Sequence, residues 1–120
     1  MTVVNAGHVP PLLRYSGRKV QMGGIDEGGL PLGVDQHYQY KSFSLKLAPG
    51  DYLAIITDGL SEAMNAKEEL YGLEKLQERF GDKVPPGTEL GRHILDDVTR
   101  HTAGHPQSDD MCLVLVGRQG

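Results

Sequence analysis

The spacing of apolar residues changes character along this chain, and those changes divide it into elements. Tyr52-Leu-Ala-Ile-Ile56 is continuously apolar and ends abruptly in Thr57-Asp58-Gly59, which predicts a short buried strand. Upstream, Thr2 to Asn5 reads as the end of a strand. Leu12 to Tyr15 and Lys19 to Met22 flank Ser16-Gly17-Arg18 as a hairpin, with Gly17 at the positive-φ position. Gly23 to Gly33 holds two Gly-Gly pairs and Pro31 and reads as a flexible loop, with Asp26 and Glu27 as solvated charge. Tyr38 to Leu47 predicts a long strand with Phe43, Leu45 and Leu47 on one face. Tyr38 and Tyr40 have the opposite parity, so a bulge or a change of burial is expected between them. Ala48-Pro-Gly-Asp51 is a tight turn that should return this strand antiparallel onto Tyr52–Ile56.

Beyond Gly59 the period becomes helical. Leu60 to Asn65 reads as a short helical turn, and Leu70, Leu73, Leu76 and Phe80 predict a helix ending near Gly81. After Pro85-Pro86-Gly87, Thr88 opens a second helix that buries Leu90, Ile94, Leu95 and Val98, with Arg92, Asp96, Asp97 and Arg100 as its wet face. His101 to Ser108 is a polar loop, and Asp109-Asp110 leads into a last strand, Met111 to Val116. Strands, then two helices, then a strand imply an α+β fold: largely antiparallel β-sheets flanked by helices. A flavodoxin-like parallel sheet is the weaker alternative, because strands and helices do not alternate.

Composition narrows the class. A chain of 120 residues fits one domain, and 12 basic against 16 acidic residues leave a formal charge of -4. No basic stripe interleaved with aromatics is present, so nucleic acid is not an expected partner. No apolar stretch is long enough to span a bilayer, and no basic segment followed by an apolar one marks a signal peptide. A cytoplasmic domain with no membrane partner is the expectation. The single Cys112 cannot form an internal disulfide and is expected to pack as a small hydrophobe. A chain opening mid-strand is expected to lack residues upstream.

The candidate chemistry is carboxylate chemistry. Asp58 stands at the end of a strand, where an unpaired buried charge would be costly, so it should meet water, backbone donors or a cation. Gly59 would let the backbone turn away through a conformation closed to other residues. The same pair also commonly marks a turn or caps a helix. If the strands beside Asp58 and Asp109-Asp110 are antiparallel neighbours, these carboxylates converge on one rim of the sheet. Such sites hold Mg2+ or Mn2+ with few protein ligands and several waters. His37, His93, His101 and His105 show no ligand-like grouping and are expected at the surface.

Asn5-Ala-Gly-His8 with Pro10-Pro11-Leu12-Leu13, Leu47-Ala-Pro-Gly-Asp51, Thr57-Asp-Gly-Leu-Ser-Glu-Ala63, Tyr71-Gly72 and Ser108-Asp-Asp-Met111 occur in that order. The ordered set resembles the bacterial metal-dependent protein phosphatases of the type 2C class, in the branch of stage II sporulation protein E and its sigma-regulating relatives. The resemblance spans nearly the whole chain. It implies part of an α-β-β-α sandwich with a dinuclear Mn2+ or Mg2+ centre that hydrolyses phosphoserine or phosphothreonine. The implied substrate is a phosphorylated protein, often an anti-sigma antagonist. By motif, Asp58 and Asp109 match metal aspartates, Asp110 is the fallback, and Glu62 falls near an accessory metal position or serves as a cap. Asn5 and His8 match a signature in which Asn and Gly shape a turn and His8 hydrogen-bonds within it, the alternative being His8 as a proton donor. The family's earlier Asp-x-x-Gly-His-Gly-type segment, which supplies a bridging aspartate, has no counterpart here. Residues 1–120 are therefore expected to be the C-terminal portion of one domain, inactive alone. Sheet edges left open would invite a homodimer or a purely non-catalytic interaction role.

Overall fold

The computed structural model describes every residue except Gly17, Arg18, Pro86, Ser108 and Gly120. The conformation expected of Gly17 thus lies outside the described residues. In chain order the elements are β1 (Thr2–Ala6), β2 (Leu12–Arg14), β3 (Val20–Met22), a 3-10 turn (Ile25–Glu27), β4 (Gly28–Gly29), β5 (Ser42–Ser44), β6 (Tyr52–Ile56), α1 (Asp58–Ser61), α2 (Leu73–Phe80), α3 (Thr88–Thr102) and β7 (Leu113–Gly117). They form two sheets, ordered β4-β1-β5 and β3-β2-β6-β7. Every pairing is antiparallel except β1 with β4. The fold is α+β, as the element order implied.

The pairing of β5 differs from the expected hairpin. β5 joins β1, with Val3 opposite Phe43, whereas β6 pairs with β2 and β7 in the other sheet. The turn between β5 and β6 is therefore a crossing between sheets. Its anchor is Asp51, which is 4% exposed and accepts the amide hydrogens of Ser16 at 2.8 Å and Ala48 at 2.9 Å. A buried carboxylate taking two backbone donors pins the turn to the β2–β3 hairpin and redirects the chain.

The long strand predicted from Tyr38 shrinks to Ser42–Ser44. Tyr38 and Tyr40 instead meet edge to face with ring centroids 4.8 Å apart, and the Tyr40 hydroxyl donates to the Leu30 carbonyl at 2.8 Å. Aromatic pairing and a satisfied hydroxyl hold this segment over the glycine-rich loop, competing successfully with the ladder. That loop is more ordered than its composition suggested, since it contains the 3-10 turn and β4.

Both faces of the four-stranded sheet are apolar. On one, Leu12, Ala54 and Ile56 pack with Leu60, Ala63 and Tyr71, with Leu76 and Phe80 of α2, and with Leu90, Ile94 and Val98 of α3. Full burial of each large aliphatic or aromatic side chain contributes roughly 1.5–3 kcal/mol, so this helix-covered layer is the stable part of the molecule. The stripe on α3 runs at strict intervals of four, which leaves Leu95 at its margin and 39% exposed. Leu70 also departs from expectation. It precedes α2, bridges Met64 and is 52% exposed.

A polar clamp ties α2 and the residues flanking it to the middle of α3. The buried Tyr71 donates its hydroxyl to Asp97, which also pairs with Arg100 at 3.0 Å and Arg79 at 3.6 Å. Asp82 accepts from Arg79 at 2.8 Å and lies 2.7 Å from His93 Nε2. Asp97 is thus a half-buried partner rather than a wet-face residue, and His93, expected at the surface, is half-buried too. Burial, and then the Asp97 hydrogen bond, push the Tyr71 hydroxyl above its ordinary pKa, while the Tyr71 hydrogen bond holds Asp97 below the usual carboxylate range. Among the described residues, no helix is long and apolar enough to cross a membrane.

Candidate functional site

β6 and β7 run antiparallel, with Ile56 opposite Leu113 as the last pair of the ladder. The residue following β6 therefore lies beside those preceding β7. This register carries Thr57 and Asp58 to the rim where Asp109 and Asp110 arrive, and all four line one cleft of about 280 Å3 together with Gly7, His8 and Val9. Asp58, Asp109 and Asp110 are all exposed, as carboxylates without buried partners must be. Three like charges in one concavity make a focused negative field that favours a cation.

Gly59 serves this rim differently from the sequence expectation. It lies within α1 and is not among the glycines with positive φ. A Cβ built on it would stand 2.1 Å from the Asp110 carbonyl oxygen. Glycine is needed here so that the Asp110 backbone can approach closely, not for an unusual turn.

The Asn-Ala-Gly-His segment is a locked loop. Asn5 is 6% exposed, its Nδ2 donates to the His8 carbonyl at 3.0 Å, and its Oδ1 accepts the His8 amide hydrogen at 2.8 Å. Gly7 has φ +76°, and a Cβ there would meet the Pro31 ring at 2.6 Å, so both its conformation and its neighbour demand glycine. His8 Nδ1 lies 2.9 Å from the Val9 carbonyl. The side chain is exposed at the carboxylate cleft. The backbone of His8 thus closes the loop with Asn5.

Glu62 caps the end of α1, where its amide donates to the Asp58 carbonyl at 2.8 Å, and it lies outside the residues lining the cleft. Thr57 had drawn no functional assignment from the sequence, yet its hydroxyl donates to the Asp110 carbonyl at 3.1 Å and accepts the Cys112 amide hydrogen at 2.9 Å. The only signal for it was a hydroxyl residue directly before Asp-Gly. Cys112 itself is exposed, contrary to expectation: its backbone is engaged by Thr57, but its side chain faces out.

The donor set is chemically uniform. Every candidate ligand at the rim is a hard oxygen, the type that suits Mg2+ or Mn2+ rather than softer metals. Among the described residues, no group of three or more His, Cys, Asp or Glu side chains is gathered to hold an ion. The rim fits a hydrated hard cation held by few carboxylates, and does not form a closed cage.

The two sheets and their helix layer share the fold of part of solved PP2C phosphatase domains. The structure of the PP2C phosphatase domain and a fragment of the regulatory domain of the cell fate determinant SpoIIE from Bacillus subtilis matches with a TM-score of 0.78 at 22% identity, covering 98% of this chain and 34% of that one. The SpoIIE phosphatase domain presoaked with Mn matches with a TM-score of 0.73 at 22% identity, over 99% of this chain and 50% of that one. The chain belongs to the stage II sporulation protein E (SpoIIE) family, whose model matches residues 1–119. It is also 29% identical over 120 residues to the phosphoserine phosphatase RsbU of Bacillus subtilis, spanning 98% of this chain but only 35% of that relative.

Proposed function

We propose that the chain is the C-terminal share of a metal-dependent protein serine/threonine phosphatase domain that acts on a phosphorylated regulatory protein in partner-switching signalling. The observation that carries this reading is the convergence of Asp58, Asp109 and Asp110 on one cleft from two paired strands. That RsbU is a phosphoserine phosphatase and that a relative's phosphatase domain was presoaked with Mn support the same chemistry. Asp58 and Asp109 would hold Mn2+ or Mg2+, with Asp110 as the alternative, while Glu62 caps α1 outside the cleft. When bound, such an ion supplies charge stabilisation on the phosphoryl oxygens and a more acidic water. The chain's own side chains orient the cation and the phosphoryl group: Asp109 has one oxygen committed to the Asp110 amide at 2.7 Å and keeps the other available. With so few protein ligands, the isolated chain binds metal weakly but saturably, and turns over little or no substrate.

The test is hydrolysis of a phosphoserine peptide by the parent protein, with Mn2+ present and absent. Asp58→Asn and Asp109→Asn should each abolish Mn2+-dependent turnover. Full activity in both variants would overturn the ligand assignment. Robust Mn2+-dependent turnover by residues 1–120 alone would overturn the claim that the chain is incomplete.

A second reading, an interaction module, draws on a separate observation. The chain exposes 7539 Å2, against roughly 6,400 Å2 expected for a monomer of its 13.1 kDa. Its radius of gyration is 15.3 Å, against about 13.6 Å expected. The two sheets part around a largely apolar opening. There a cleft of about 440 Å3 is lined by Leu53, Ile55, Val116 and most of β1, with no Asp, Glu, Lys or Arg among its lining residues. The excess area exceeds the roughly 800 Å2 that a standard interface takes from each partner. In a longer chain further strands cover this face; alone, the chain covers it with a second copy. Light scattering that returns a monomer at all concentrations would exclude the homodimer.

A further inference from the structure

We propose that Thr57 is a positioning residue of the metal site, whose hydroxyl sets the Asp109–Asp110 segment in place relative to Asp58. The inference rests on reading Asp58 and Asp109 as ligands. The backbone ladder between β6 and β7 ends at Ile56 and Leu113, one step short of the carboxylates. Past that point, among the described residues, Thr57 makes three hydrogen bonds between the two segments. Its amide donates to the Cys112 carbonyl at 3.1 Å, its hydroxyl accepts the Cys112 amide hydrogen at 2.9 Å, and the same hydroxyl donates to the Asp110 carbonyl at 3.1 Å. The hydroxyl takes the place of the next rung of the ladder.

On its other side the Asp110 carbonyl rests against Gly59, in the space a Cβ would fill. It is therefore fixed between the Thr57 hydroxyl and the Gly59 backbone. Asp109 inherits this order, because its Oδ1 accepts the Asp110 amide hydrogen at 2.7 Å. A chain of contacts thus runs from Thr57 through the Asp110 backbone to the Asp109 carboxylate, and Thr57 is covalently joined to Asp58. Both proposed ligands are referenced to one side chain. Partners that orient metal ligands from behind typically change metal affinity about 10–100-fold when removed.

The experiment uses the 120-residue chain, with amide exchange and Mn2+-induced line broadening read by NMR. In wild type, Mn2+ should broaden the Asp58 and Asp109 amides selectively and saturably. Thr57→Val keeps the shape and loses the hydroxyl. It should speed exchange at the Cys112 amide and weaken apparent Mn2+ affinity about tenfold. Thr57→Ser should restore both. If Thr57→Val frees the Cys112 amide yet binds Mn2+ like wild type, or if Thr57→Ser is as impaired as Thr57→Val, the positioning role is wrong. If wild type shows no selective broadening, or Asp58→Asn with Asp109→Asn leaves broadening unchanged, the ligand assignment itself fails, whatever Thr57 does.

Discussion

Replacing Gly59 by alanine separates two effects of opposite sign. In a helix, Gly→Ala ordinarily stabilises by about 0.5–1 kcal/mol, because glycine loses more backbone freedom on folding. At Gly59 the new methyl would stand 2.1 Å from the Asp110 carbonyl oxygen, a backbone atom that cannot rotate aside. Restoring an ordinary contact requires Asp110 to retreat by more than about 1 Å. That strains or breaks the 3.1 Å bond from Thr57 to the Asp110 carbonyl. Overpacking costs about 1–3 kcal/mol and a lost hydrogen bond about 1 kcal/mol, so the net expectation is destabilisation of about 2 kcal/mol. For a domain of this size, that lowers Tm by roughly 10 °C. Gly91 in α3 is the internal control, since a Cβ there meets only Leu115 Cδ1 at 3.7 Å. Gly91→Ala should therefore stabilise by about 0.5–1 kcal/mol. Urea titration of both variants gives the comparison. A Gly59→Ala protein as stable as wild type would refute the close-approach account of the Asp-Gly pair.

Asn5→Ala removes both bonds that close the Asn5–His8 loop and should cost about 1–2 kcal/mol in urea unfolding. The Tyr71–Asp97 pair makes stability depend on pH in two windows. Asp97 has a depressed folded pKa, so its contribution is present above the unfolded value near 3.9 and is lost as pH falls through the lower folded value. Tyr71 has a raised folded pKa, so its contribution is complete below about 10 and is lost as pH rises beyond that. In Tyr71→Phe the alkaline dependence should vanish and the acid limb should shift toward the ordinary carboxylate range; unchanged limbs in urea titrations across pH would contradict the pairing. Finally, Ile55 and Val114 stand opposite each other and are 39% and 45% exposed. On the interaction-module reading, Ile55→Lys with Val114→Lys should give a monomer by light scattering where wild type gives a dimer, while leaving Tm near wild type.

How much of this was legible in the sequence depends on the range of the forces involved. Local pattern was enough for the buried strand at Tyr52–Ile56, for α2 and α3 and for the candidate acids, because period, caps and chain reversals are decided among near neighbours. It was not enough for Tyr38–Tyr40, whose rings chose each other and the Leu30 carbonyl over a ladder. Nor could it assign β5, because the deciding group is the buried Asp51 carboxylate gripping Ser16, thirty-five positions away. The same limit hid Thr57, whose partners Asp110 and Cys112 lie more than fifty residues downstream. Residue order and periodicity limited which segments could become strands and helices and which side chains could serve as ligands. Only the tertiary structure decided which strands became neighbours, that Asp58, Asp109 and His8 share one cleft, and that Gly59 is required by the backbone facing it. Hydrogen-bond partners and close contacts across the sheet are set by register, and register is fixed only when the whole core packs.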